Sequence, residues 1–116
     1  MDMATTEHVL ISDALLERVA QRFRVLGDAS RLAIVRLLVA RGEASVGEVV
    51  EGVGMSQANV SKHLRLLLDA GIVSRRREGT SAYYCVVDGS VEQLCELVCA
   101  RIEEQIQLQA EALGSA

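Results

Sequence analysis

The sequence contains no proline and no tryptophan, and its only aromatics are Phe23, Tyr83 and Tyr84. Without proline there is no polyproline segment to dock in an aromatic groove, and three aromatics do not make a platform on which successive bases stack. Long apolar runs are missing as well. The stretch from Val35 to Ala40 is already interrupted by Arg36, whereas a membrane span needs about 20 consecutive apolar residues. The opening residues, Met1 and Asp2 followed by Glu7 and His8, hold no basic region leading into an apolar stretch. No signal peptide is therefore expected, and the chain reads as soluble and cytoplasmic. Catalytic equipment is sparse too. His8 and His63 lie far apart, no acid pair is organised and no glycine-rich phosphate loop occurs, so an enzyme is not expected.

What the chain does have suits one folded domain. Its 116 residues are 50% hydrophobic and 24% charged, enough for a modest core and a soluble surface. No repeat, low-complexity tract or linker divides it, so residues 1–116 are read as a single domain. Its three cysteines, Cys85, Cys95 and Cys99, are clustered. An odd number in a small chain without a secretory signal is no disulfide framework. Thiolate metal binding, redox sensing and core filling by a small apolar residue all remain open at this point.

Net charge is −4, but it is unevenly placed. Residues 56–82 carry five cations (Lys62, Arg65, Arg75, Arg76, Arg77) against two acids (Asp69, Glu78), a net +3 that leaves −7 on the rest. A basic segment on an acidic body fits a local phosphate-binding surface, and equally a solvated face that happens to be basic.

Apolar spacing predicts a helix from Asp13 to Leu26, with Leu15, Leu16, Val19, Phe23 and Leu26 in one stripe. After Gly27 a second helix, capped by Asp28 or Ser30, should bury Leu32, Val35, Leu38 and Val39 and end at Gly42. Ser45 and Glu48 form a capping box opening a short helix with Val46, Val49 and Val50, closed by Gly52 and Gly54. Ser56 caps the next helix, Gln57 to about Ala70. There Val60, Leu64, Leu67 and Leu68 face inward, Ala58, Ser61, Lys62 and Arg65 outward, and Gly71 ends the helix in a left-handed conformation. The period then changes to two strands, Ile72 to Arg77 and Ala82 to Val87, joined by a loop from Glu78 to Ser81. A second capping box, Ser90 with Gln93, should open a last helix reaching Leu113, striped by Val91, Leu94, Val98, Ile102, Ile106 and Leu113. The expected fold is mostly α with a β-hairpin wing (α+β), a winged helix-turn-helix. The last stripe exceeds what so small a domain must bury alone, so a homodimer joined through its terminal helices is expected.

Three stretches resemble a known family: Phe23-Arg-Val-Leu-Gly-Asp-Ala-Ser-Arg-Leu-Ala-Ile-Val-Arg-Leu-Leu38, Met55-Ser-Gln-Ala-Asn-Val-Ser-Lys-His-Leu64 and Asp69-Ala-Gly-Ile-Val-Ser-Arg-Arg-Arg-Glu-Gly79. They look like the ArsR/SmtB family of bacterial winged-helix repressors, over roughly residues 15 to 105. The resemblance implies a homodimer that binds double-stranded operator DNA and is released by an inducer, usually a metal ion or metalloid. In that frame the helix starting at Ser56 points its positive end at a phosphate. Gln57, Asn59 and Ser61 suit base edges, while Lys62, Arg65, Arg75, Arg76 and Arg77 suit phosphates. Arg76 and Arg77 alternate across a strand, so only one of them faces the duplex directly. His63 sits at the border of the buried face, where packing or a phosphate hydrogen bond suits it better than metal ligation.

Cys95 and Cys99 are one helical turn apart, at one edge of the last stripe, with Cys85 on the second hairpin strand. Converging thiolates suit trivalent arsenic or antimony, or zinc, cadmium, lead or mercury. Arsenic-sensing members of the family often carry a Cys-Val-Cys type site in the first helix of the helix-turn-helix, and Ser45 to Gly54 here contains no cysteine. Zinc-sensing members use Asp and His pairs on the last helix, where Asp88, Ser90, Ala100 and Glu103 stand here, without a histidine. A sensed ion would therefore fall to Cys85, Cys95 and Cys99. The expected function is operator-binding repression relieved by a thiophilic inducer, As(III) or Sb(III). Its alternatives are thiol oxidation, another soft metal ion, or no ion inducer.

Overall fold

The computed structural model describes residues 11–115; the first ten residues, including His8, and Ala116 lie outside it. The elements run α1 (Asp13–Leu26), α2 (Ala29–Arg41), β1 (Ala44–Ser45), α3 (Val46–Val53), α4 (Gln57–Asp69), β2 (Val73–Glu78), β3 (Ser81–Val86) and α5 (Gly89–Ser115). This is the expected order with one addition. The two-residue strand β1 completes an antiparallel sheet of order β1-β3-β2, with Ala44 opposite Tyr84 and Ser45 opposite Tyr83. In the hairpin the register runs from Val73 opposite Val86 to Glu78 opposite Ser81, and Gly79 supplies the positive φ (+61°) that so tight a loop needs.

Local chemistry places the helix starts. Oγ of Ser12 accepts the Leu15 N–H at 3.1 Å, and the Asp28 carboxylate accepts that of Arg31 at 3.0 Å. The Ser45–Glu48 box forms in both directions. Ser56 accepts the Asn59 N–H at 3.2 Å, which fixes the start of α4. Past Ala70 the chain turns through Gly71 at φ +76°, where a side chain would be strained. Ile72 then donates to the Leu67 carbonyl at 3.0 Å and the hairpin begins.

Ile34, Leu38, Val49, Leu64, Leu67 and Ile72 are fully buried and join α2, α3, α4 and the sheet in one core. Each such side chain contributes about 1.5–3 kcal/mol by leaving water.

Four expectations need correcting. On α2 the buried face is Ile34, Val35 and Leu38, with Leu32 and Val39 exposed; Arg31, Arg36 and Arg41 are spread around α2, so its period marks no single apolar face. On α1 the stripe Leu15, Leu16, Val19 and Phe23 is exposed, and Val25 and Leu26 are what α1 buries. Gly52 lies inside α3 and does not end it. A Cβ there would come within 2.0 Å of Leu37 Cδ1, so glycine lets α3 pack closely on α2. Finally, Ser90 lies inside α5. Asp88 caps this helix, accepting the N–H and hydroxyl of Ser90 at 3.0 and 2.6 Å.

Candidate nucleic-acid interface

Helix α4 presents two unlike faces. Val60, Leu64 and Leu67 are sealed in the core, while Ser56, Gln57, Asn59, Ser61, Lys62 and Arg65 stand in solvent along the opposite side. The free N–H groups of its first turn carry partial positive charge toward that side. His63 is half-buried at the edge, its Nδ1 3.3 Å from Arg31 Nη1. Arg31 also donates to the carbonyls of Val25 and Arg24, at 2.5 and 3.3 Å, so His63 belongs to a junction between α1, α2 and α4. Its Asp28 neighbour has a carboxyl held below its ordinary value, chiefly by the Arg31 backbone N–H. Arg65 pairs with Asp69 one turn along the surface.

The wing separates its three arginines. Arg76 lies across from Tyr83, over whose ring its guanidinium stacks at 4.9 Å. It also donates to both oxygens of Glu43, at 3.2 and 2.8 Å, and to Glu78 at 2.9 Å. The Arg76 bonds hold the Glu43 carboxyl below its usual range, and Glu43, then Glu78, raise the Arg76 pKa in return. Arg76 is thus spent on bracing the wing against the α2–β1 connection. Arg75 and Arg77 point to the other face of the sheet and are exposed. Together with Lys62, they have no ion-pair partner among the described residues. Sequence reasoning missed Glu43 because its partner lies 33 positions away; a lone acid before a short strand gives no local signal.

A helix-turn-helix domain model matches residues 26–76, from the end of α1 into β2. The arsenical resistance operon repressor of Bacillus subtilis is 37% identical over 87 residues, covering 73% of this chain and 83% of its own. The chain belongs to the ArsR/SmtB family of winged-helix repressors. Solved structures agree. A homodimeric winged helix-turn-helix domain from Mycobacterium bovis, described as a possible ArsR-family regulator, has a TM-score of 0.73 at 36% identity, covering 84% of this chain and 92% of that one. The antimony-specific transcriptional repressor AntR reaches a TM-score of 0.75 at 34% identity, covering 84% and 88%. ArsR/SmtB proteins of this fold are transcriptional regulators rather than enzymes.

In this ArsR/SmtB chain the thiols are spread over two elements. Cys85, on β3, is half-buried with its Sγ 3.3 Å from Ser74 Oγ. On α5, Cys95 is half-buried against the core and Cys99, one turn on, is exposed. One chain does not gather Cys85, Cys95 and Cys99 into a single site: among the described residues no group of three His, Cys, Asp or Glu could hold a metal ion. The hairpin commits Cys85 to the Ser74 side of the sheet. Near the α5 pair the apolar side chains of Val98, Ile102 and Ile106 are exposed. Between α1 and α5 opens a groove of about 540 Å³ whose lining includes Leu15, Val19, Phe23, Leu94 and Leu97. No helix among the described residues is long and apolar enough to cross a membrane.

Proposed function

We propose that this ArsR/SmtB chain works in the cytoplasm as a homodimer that represses transcription from operator DNA. A thiophilic inducer, trivalent arsenic or antimony bound by cysteine thiolates of α5, releases it. The observation that carries the reading is the division of labour on the reading head: α4 seals its apolar face and exposes Gln57, Asn59, Ser61 and Lys62, while Arg76 braces a wing whose Arg75 and Arg77 have no ion-pair partner among the described residues. Gln57 and Asn59 suit adenine edges in the major groove; Ser56, Lys62, His63, Arg65 and the free wing arginines suit phosphates. The exposed faces of α1 and α5 support a homodimer through the terminal helices, which would set two reading heads about 34 Å apart.

Support for the inducer comes from the Cys95–Cys99 pair and from the arsenical and antimony responses named for two relatives. A trigonal sulfur site on α5 needs a third thiol, which a second copy of α5 supplies across the dimer seam. Inducer binding then favours a dimer packing with mismatched heads, and a differential affinity of a few kcal/mol suffices for release.

Fluorescence anisotropy of an operator fragment, taken from DNA upstream of the protein's own gene, tests this with reduced protein. Arsenite or antimonite should release the DNA, and Cys95→Ser should abolish that release. Release by an oxidant or by zinc or cadmium alone would move the inducer to the alternatives, and indifference to every addition would remove the inducer and leave a repressor. In the same assay Asn59→Ala should weaken binding by about 1–3 kcal/mol and relax base preference. Lys62→Ala should instead lower the salt slope by about 0.9, alike on all sequences.

A further inference from the structure

Helices α4 and α5 have little direct contact. One side chain from a third helix bridges them. Arg22, on α1, donates through Nη1 to Oδ2 of Asp88, at the start of α5, and through Nη2 to the carbonyl of Ala70 at 2.6 Å. Both ends of this bridge are helix termini. The Ala70 carbonyl belongs to the set at the end of α4 that no later turn satisfies, and the backbone leaves it through left-handed Gly71. Asp88 divides its carboxylate. Oδ2 takes Arg22, while Oδ1 takes the N–H and hydroxyl of Ser90 in the first turn of α5. These bonds, those of Ser90 foremost, hold the Asp88 carboxyl below its ordinary value, so the bridge is charge-assisted at neutral pH. Arg22 further lines the α1–α5 groove with Phe23 and Leu94. Whatever shifts the root of α5 therefore bears on Arg22.

We propose that Arg22 is the positioning residue through which α5 sets the C-terminal end of the reading helix. A planar guanidinium holding two acceptors on two elements transmits displacement in a way a flexible ammonium does not. If the root of α5 moves, Asp88 draws Arg22 with it and the Ala70 carbonyl follows or loses its partner. The tilt of α4 thereby depends on α5 although the two scarcely touch. This rests on the reading of α4 as an operator-binding helix only where DNA affinity is concerned; the mechanical link is testable without DNA.

Amide hydrogen exchange on the full chain, free of DNA, decides the link. The Gly71 and Ile72 amides, bonded to the Leu68 and Leu67 carbonyls at 3.0 Å, report on the end of α4. Asp88→Asn, a change on α5, should speed their exchange about tenfold, the scale of one charge-assisted hydrogen bond. The same change in an Arg22→Gln background should leave them where Arg22→Gln alone puts them. Unaltered exchange on Asp88→Asn, or an equal acceleration with and without Arg22, overturns the proposal. Operator affinity forms the second arm. Each single substitution should weaken it about tenfold and the double no further, since residues acting in one chain of contacts are not additive. Full wild-type affinity in both folded single variants overturns the proposal. Failure of the wild-type protein to bind operator counts against the functional reading, and the exchange result still decides the link.

Discussion

The two halves of the molecule keep their apolar side chains differently. Around α2, α3, α4 and the sheet the core is closed: Ile34, Leu38, Leu64 and Ile72 are fully out of water. Along α1 and the length of α5 it is open, with Phe23 55% and Leu97 71% exposed and every residue from Glu96 to Gly114 on the surface. The first half therefore supplies its own stability. The second has an apolar face too long for a free surface, and in the proposed function its cover is a second copy. In that proposal each chain carries its own reading head, and the geometry of reading two half-sites would be left to the pair.

That contrast can be broken from either side. Ile34→Ala, in the closed half, should cost about 2–5 kcal/mol, seen as a lower urea midpoint at every protein concentration. Ile102→Asp, in the open half, should leave the folded chain's circular dichroism intact. Sedimentation should show it weakening self-association by at least about a hundredfold, because the seam would bury an unpaired charge. Smaller is the effect of the wing brace. The Glu43 value is depressed by its Arg76 bonds, so the brace is complete above the ordinary carboxylate range, near pH 4, and is lost as pH falls through the depressed folded value. Ring resonances of Tyr83, beneath Arg76, should shift in that acid window in the wild type and not in Glu43→Gln. Arg65→Ala, removing an exposed pair with Asp69, should change stability by less than about 0.5 kcal/mol.

Features closed within one turn were legible in the sequence: the Ser56 cap, the Ser45–Glu48 box, the left-handed Gly71 and the polar outer row of α4 all stand where spacing put them. Features joining distant segments were not. Nothing local marks Arg22 for Asp88, 66 positions on, or Ala44 for Tyr84. The capping of α5 failed more narrowly. Asp88 and Ser90 are both good caps two residues apart, and the bonds from Ser90 back to Asp88 start the helix earlier. For the thiols, sequence gave proximity along the chain, whereas the hairpin sends Cys85 toward Ser74.

The length of α5 has a mechanical consequence. Its 27 residues at 1.5 Å each make a rod of about 40 Å, rooted in the body only by its first two turns. In the proposed dimer two such rods would lie together, with a reading head at the root of each. Pivoting one rod by about 5° about its far end would move the head at its root by about 3.5 Å, close to one base-pair step of DNA. In that arrangement a small change in the tilt of the seam would displace the heads by a whole rung of the duplex.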